Sequence, residues 1–204
     1  MKQVIILFSF VSLVFSFLQE KTNDSFIYIL SRNSNTKEGN LVLKYNNHNL
    51  NISHIGIALS NTEKSFVYNI SYNSKNKYNS SLLKESFNSF WNSKNCIDNK
   101  IWKIKISTKE HVRIKKYIEN LEKKKLFFDL DSTTNNGLYC SEFVYNALNS
   151  SGNSKFILIK KNKKMSGISK IIVGNDVLNY YPADFFLDYK FIQEITSANT
   201  GLAK

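Results

Sequence analysis

Cysteine is scarce in this chain, with two in 204 residues. One of them, Cys140, stands in "NNGLYCSEFVYNALNSSG" (135–152), at the head of a short apolar stripe. A cysteine does nucleophilic chemistry as its thiolate, so it needs a base to take the proton, and histidine is the usual choice. The chain offers His48, His54 and His111. His48, in "YNNHNLN", reads as a solvated loop, and His111 belongs to an amphipathic helix, packed or at the surface. His54, in "ISHIGIAL", is the candidate base. Strand alternation puts His54, Gly56 and Ala58 on one face and Ile55, Ile57 and Leu59 on the other. The glycine and alanine are expected to leave room beside the histidine for another element, such as the helix that carries the nucleophile.

A base also needs a partner that fixes its tautomer. In "SFVYNIS" (65–71) Val67, Asn69 and Ser71 share one face. If the turn before this strand centres between Asn61 and Thr62, paired residue numbers sum to 123 and Asn69 lies opposite His54. An odd-length loop would turn it to the wrong face. Asp129 and Glu142 are further polar candidates. Glu142 points away from the Cys140 stripe and ranks below Asn69.

The elements that must position these groups can be read in outline. Cys140, Phe143, Val144, Ala147 and Leu148 recur at helical spacing, a stripe that by itself describes a packed core cysteine. The preceding "STTNNG" is a poor helix former, which places Cys140 in the first turn. There, free N–H groups and the helix dipole would stabilise a thiolate and could receive an oxyanion, with Tyr139, Ser141 and Glu142 as its neighbours. On the residues alone, core plug and nucleophile both stand for Cys140. A buried histidine satisfied by a carbonyl likewise stands beside the base reading of His54.

Around them, "SFIYIL" (25–30), "NLVLKY" (40–45), "ISHIGIAL" (52–59), "SFVYNIS" and "KIWKIKIS" (100–107) read as strands, the third and fourth forming a hairpin. "SSLLKESFNSFW" (80–91) reads as a short helix. Ser107 and Glu110 form a capping box before "HVRIKKYIENLEKKK", where Ile114, Tyr117, Ile118 and Leu121 make a buried stripe. "KFILIK" (155–160), "SKIIVG" (169–174) and "YYPADFFLDYKFIQEI" (180–195) close an antiparallel-dominated α+β domain.

Composition agrees with a single globular domain: 42% hydrophobic residues, 14% aromatic, seven glycines and one proline. The net charge of +12 is spread along the chain, which describes a lysine-solvated surface or a surface for an anionic polymer or membrane. No basic-aromatic pattern of a nucleic-acid binder is present, and no His/Cys/carboxylate cluster has metal-ligand spacing, so neither a nucleic acid nor a metal or other cofactor is expected. Residues 1–18 have the layout of an export signal, with Lys2 before an apolar run from Val4 to Leu18, either cleaved or retained as an anchor. The mature domain would then be 19–204, periplasmic or extracellular. In an oxidising compartment Cys96 and Cys140 could pair, but a nucleophilic Cys140 must stay free.

"SHIGIAL", "FVYN", "GLYCSEFVYNAL" and "YYPADFF" together resemble the permuted papain-like amidases of the YaeF/YiiX type, relatives of NlpC/P60 peptidases. The resemblance spans roughly residues 25 to 195. It implies a permuted papain-like fold in which the chain order is histidine, polar residue, cysteine. It implies His54 as base, Asn69 as orienter and Cys140 as nucleophile. The family's third position is commonly Glu or His, and here it is Asn69. The implied function is a cysteine hydrolase acting on an amide or ester bond of a cell-wall peptide or an acylated lipid. The competing expectation is a non-catalytic module of the same fold that holds an anionic wall or membrane polymer.

Overall fold

The computed structural model describes residues 24–71, 82–133, 137–167, 170–171 and 174–195, apart from positions 49 and 63. The expected export signal lies outside these residues. No helix among them is long and apolar enough to cross a membrane.

The core is a six-stranded sheet with strand order β10-β5-β1-β2-β3-β4, every pairing antiparallel. Its strands are β1 (Asp24–Ser34), β2 (His54–Ala58), β3 (Phe66–Asn69), β4 (Leu83–Ser86), β5 (Cys96–Ser107) and β10 (Ile192–Ile195). Two short ladders complete the strands: a parallel pair, β6 (Phe127–Phe128) with β7 (Gly137–Leu138), and an antiparallel pair, β8 (Lys161–Lys164) with β9 (Val177–Tyr180). The helices are α1 (Lys37–Leu43), α2 (Phe87–Trp91), α3 (Thr108–Glu122) and α4 (Cys140–Asn149).

The alternation of β1 decides which helix covers which face. Ile27 and Ile29 point to a large core with Ile55, Ile57, Ile104, the α3 residues Ile114 and Ile118, and the α4 residues Phe143, Val144 and Leu148. Tyr28 and Leu30 point to the opposite side, a smaller core with Ala58, Val67 and the α2 residues Phe87 and Phe90. The α3 capping box forms as expected, Ser107 Oγ accepting from the Glu110 N–H and the Glu110 carboxylate accepting from the Ser107 N–H. The closing "YYPADFF" segment supplies Phe185 and Phe186 to the large core, with Phe186 edge-on to Trp102 at 4.9 Å between centroids.

Several expected elements differ. "NLVLKY" is not a strand: Thr36 caps Gly39, and residues through Leu43 form α1. A run of six residues is too short to carry a period that separates a strand from a helix, whereas the Thr36 hydroxyl favours a helix start. Of the helix expected over 80–91, residues 80 and 81 lie outside the described residues, and the described part is helical only at Phe87–Trp91. The stretch before it is β4, which pairs with β3, and Ser86 caps the helix. Residues 154–156 form a 3-10 turn where "KFILIK" was expected to be a strand, and the exposed strand begins at Lys161. Within 169–174, Lys170 and Ile171 are helical, and 169, 172 and 173 lie outside the described residues. Cys96 begins β5.

Candidate active site

Cys140 is the first residue of α4, as its sequence context predicts. The start of this helix is unlike those of α1, α2 and α3. Thr36, Ser86 and Ser107 each spend a hydroxyl on a first-turn amide, whereas Tyr139 makes no side-chain cap bond. No side chain takes the first-turn N–H groups, and those of Cys140 itself and Ser141 turn toward the Cys140 sulfur. A third amide reaches the sulfur from the sheet: the N–H of Ile55, the residue after His54. The thiol is 7% exposed. Its pKa is pushed above the ordinary value because burial outweighs these amides and the Arg32 cation. The thiolate expected from the helix dipole is thus a buried thiol at rest. Both cysteines are free.

Tyr139 and Ser141 flank Cys140 on either side, and both are held on Tyr181. The Tyr139 hydroxyl accepts from the Tyr181 N–H, and the Ser141 hydroxyl donates to the Tyr181 carbonyl at 2.7 Å. Glu142 is buried, with Oε2 unpartnered. Burial foremost, then Asp129 and Asp131, push its pKa up to about 7 against the opposing pull of Lys160.

His54 begins β2, and its Nε2 lies 3.0 Å from Asn69 Oδ1. The register differs from expectation. Ile57 pairs with Tyr68 and Ala58 with Val67, so partner numbers total 125, and Asn69 falls beside Gly56 instead of directly across from His54. The slip is two residues. It keeps Asn69 on the histidine's face, and the contact is made on the diagonal. A residue not singled out in the sequence completes the chain: Asn69 Nδ2 donates to Glu85 Oε2 at 2.6 Å. Because the amide nitrogen is committed to that carboxylate, Oδ1 must accept from the ring. The His54 proton therefore sits on Nε2 and the lone pair on Nδ1.

Two further residues went unnoticed in the sequence. Arg32 pairs with His54 across β1 and β2 and rests on Phe90, its guanidinium carbon 4.5 Å from the ring centroid, with Nη1 donating to the Phe90 carbonyl at 3.1 Å. Phe90 also stacks on the His54 ring at 5.7 Å. Burial, and then the Arg32 cation, push the His54 pKa down to about 3, against the Asn69 hydrogen bond. The imidazole is neutral at any ordinary pH. Arg32 was legible in principle, being a charged residue that continues the buried alternation Tyr28, Leu30.

The space beside Gly56 is not used as expected. A Cβ there would meet Val67 Cγ1 at 2.6 Å and Asn69 Cβ at 3.2 Å, so the neighbouring strand fills it, and α4 packs on the other face, against Ile55 and Ile57. At the start of β2 the Ile55 amide joins strand to sulfur. Among the described residues no hydrogen bond links the sulfur to the ring. His48 and His111 lie elsewhere, with His48 Nε2 3.0 Å from Asp188 Oδ1 and His111 Nε2 2.9 Å from the Leu59 carbonyl. Asp129 accepts from the Asp131 N–H. A cleft of about 150 Å³ lined by Ser31, Leu50, Ile52, Asn99 and Lys100 opens nearby, since Ser31 pairs with Ile55, but neither Cys140 nor His54 lines it.

The architecture is a mixed α+β fold of the YiiX-like kind. The solved structure that carries the likeness is described as the crystal structure of metalloprotein yiiX from Escherichia coli O157:H7 (DUF1105), with TM-score 0.61, 11% identity, and coverage of 84% of this chain and 96% of that one. No family model and no curated protein matches the sequence. Among the described residues no group of three or more His, Cys, Asp or Glu could hold a metal ion.

Proposed function

We propose that the protein is a cysteine hydrolase of permuted papain-like type, exported from the cytoplasm, that cleaves an amide or ester bond of a cell-wall peptide or acylated lipid. Cys140 attacks the acyl carbon, and His54 takes the thiol proton on Nδ1 and returns it to the leaving group. Free amides of the first α4 turn hold the oxyanion, and water releases the acyl group. Asn69 and Glu85 orient the ring and share the positive charge it gains. The observation that carries this reading is the His54–Asn69–Glu85 hydrogen-bond chain, which fixes the lone pair on the nitrogen nearer the main chain, one residue from the amide that touches the sulfur.

Because thiol and imidazole are both neutral at rest, proton transfer accompanies attack and no ion pair is stored beforehand. The decisive experiment incubates the full chain with a neutral activated ester and looks by mass spectrometry for an acyl thioester on Cys140. The adduct should form, vanish in Cys140→Ala and slow about 10²- to 10⁴-fold in His54→Gln. No adduct at Cys140 with any ester or thioester tested would end the hydrolase reading.

A second reading, a non-catalytic module for an anionic wall or membrane polymer, draws on the buried thiol and on the exposed lysines of β8. It predicts polymer binding that falls steeply with salt and is indifferent to Cys140→Ala.

A further inference from the structure

Arg32 is a cation placed where a cation is costly. It is half-buried and lies in register with His54. Among the described residues no carboxylate lies within ion-pair distance of it, and its Nε is buried without a hydrogen-bond partner. Glu85 acts on it only at longer range and is itself held by Asn69. Taking a charge partly out of water without an ionic partner is unfavourable, and a strand residue that merely filled the face beside Tyr28 and Leu30 would be apolar. The guanidinium is also held in place, stacked on Phe90 and tethered through Nη1 to the Phe90 carbonyl, so its unspent donors point in fixed directions. Such a rigid, partly desolvated planar fork suits an oxyanion ligand. Its field reaches the sulfur of Cys140 as well as the ring of His54.

We propose that Arg32 anchors an anionic oxygen group of the substrate, a carboxylate or phosphate carried a few bonds from the acyl carbon that Cys140 attacks. The acyl step rests on the hydrolase reading, but the anion site does not. Arg32 is thus a specificity residue: it selects anionic acyl compounds over neutral ones. Filling the site also offsets the cation that opposes protonation of His54, so a correct substrate eases its own proton transfer.

The test uses two alkylating reagents with the same leaving group and different charge, iodoacetate and iodoacetamide. It is done on the full chain in a Cys96→Ser background, because Cys96 also lies within range of Arg32. Relative to 2-mercaptoethanol in the same buffer, Cys140 should favour iodoacetate by about tenfold. Arg32→Gln should erase that preference, and Arg32→Lys should keep part of it. Acetate and inorganic phosphate, each tried as a protecting ion, tell the two sources apart: whichever slows iodoacetate only while Arg32 is present names the anion.

A Cys140 preference equal to that of the free thiol overturns the proposal, and this measurement needs no variant at Arg32. So does a preference unchanged in an Arg32→Gln protein whose circular dichroism matches the parent, or protection by neither ion. The result separates from that of the ester experiment. Acyl thioester without charge preference sinks the anion site and leaves the hydrolase, whereas charge preference without acyl thioester does the reverse.

Discussion

A neutral imidazole that gives its one N–H proton to an amide oxygen can accept another only at its opposite nitrogen. On the hydrolase proposal that restriction makes Asn69 a positioning residue, and its loss should be read in the rate and not in the fold. Asn69→Ala is expected to lower acylation of Cys140 by about 10- to 100-fold while substrate affinity changes little, and Glu85→Gln by less, since it removes only the remote charge. Stopped-flow acylation of the two variants distinguishes these outcomes. The acid side of the rate profile follows from His54. With its pKa pushed down to about 3, the ring is already a base throughout the weakly acidic range, so the inflection usual for histidine near 6.5 should be missing from the acylation rate. A clear inflection there would mean that the ring is more open to water than its burial beside Phe90 implies.

At the scale of elements, the hairpin of β2 and β3 does the positioning. Its turn is tied by hydroxyls, Ser60 and Thr62 both meeting Ser65 Oγ, and the resulting register brings Asn69 beside Gly56. Gly56→Ala would drive a methyl into Val67 and Asn69. It is expected to cost about 1–3 kcal/mol of stability and to slow acylation by at least as much as Asn69→Ala, measured by denaturant unfolding and ester turnover. This hairpin also marks how far the sequence could be read. Parity was legible, because alternation alone puts Asn69 on the face of His54. The two-residue slip was not, because it depends on hydroxyl contacts inside the turn. The capping box of α3 and the apolar stripe of α4 were plain from local pattern. The strand expected at 40–45 and the helix at 80–91 failed where short apolar runs have no decisive period and distant pairing with β3 takes precedence. Arg32, Glu85 and Phe90 come to His54 from three separate elements, so no spacing in the chain could announce them together. For the same reason the upward push on the thiol pKa was not legible: the helix start was visible, but the burial that overrides it was not.

For the molecule as a whole, two buried ionisable groups pull its stability in opposite directions with pH. His54 ordinarily titrates at 6.5 and in the fold at about 3. The unfolded chain thus takes up the extra proton first, and stability falls as pH drops below 6.5. Glu142 ordinarily titrates at 4.5 and in the fold at about 7. There the folded chain holds the extra proton, and stability falls as pH rises through that window. Unfolding measured at pH 5 and pH 8 should separate them. His54→Gln should lose less stability than the parent on acidification, and Glu142→Gln should gain most over the parent at the alkaline end.

The two clasps on Tyr181 carry a consequence for how the protein is made. A ribosome delivers β1 through β5 and then Cys140 well before residue 181 leaves the exit tunnel, so the Cys140 sulfur spends part of synthesis without the backbone that seats its neighbours. On the hydrolase proposal, competence is then a late acquisition, reserved for chains translated nearly to completion, and a product truncated ahead of Tyr181 is expected to carry Cys140 yet form no acyl thioester.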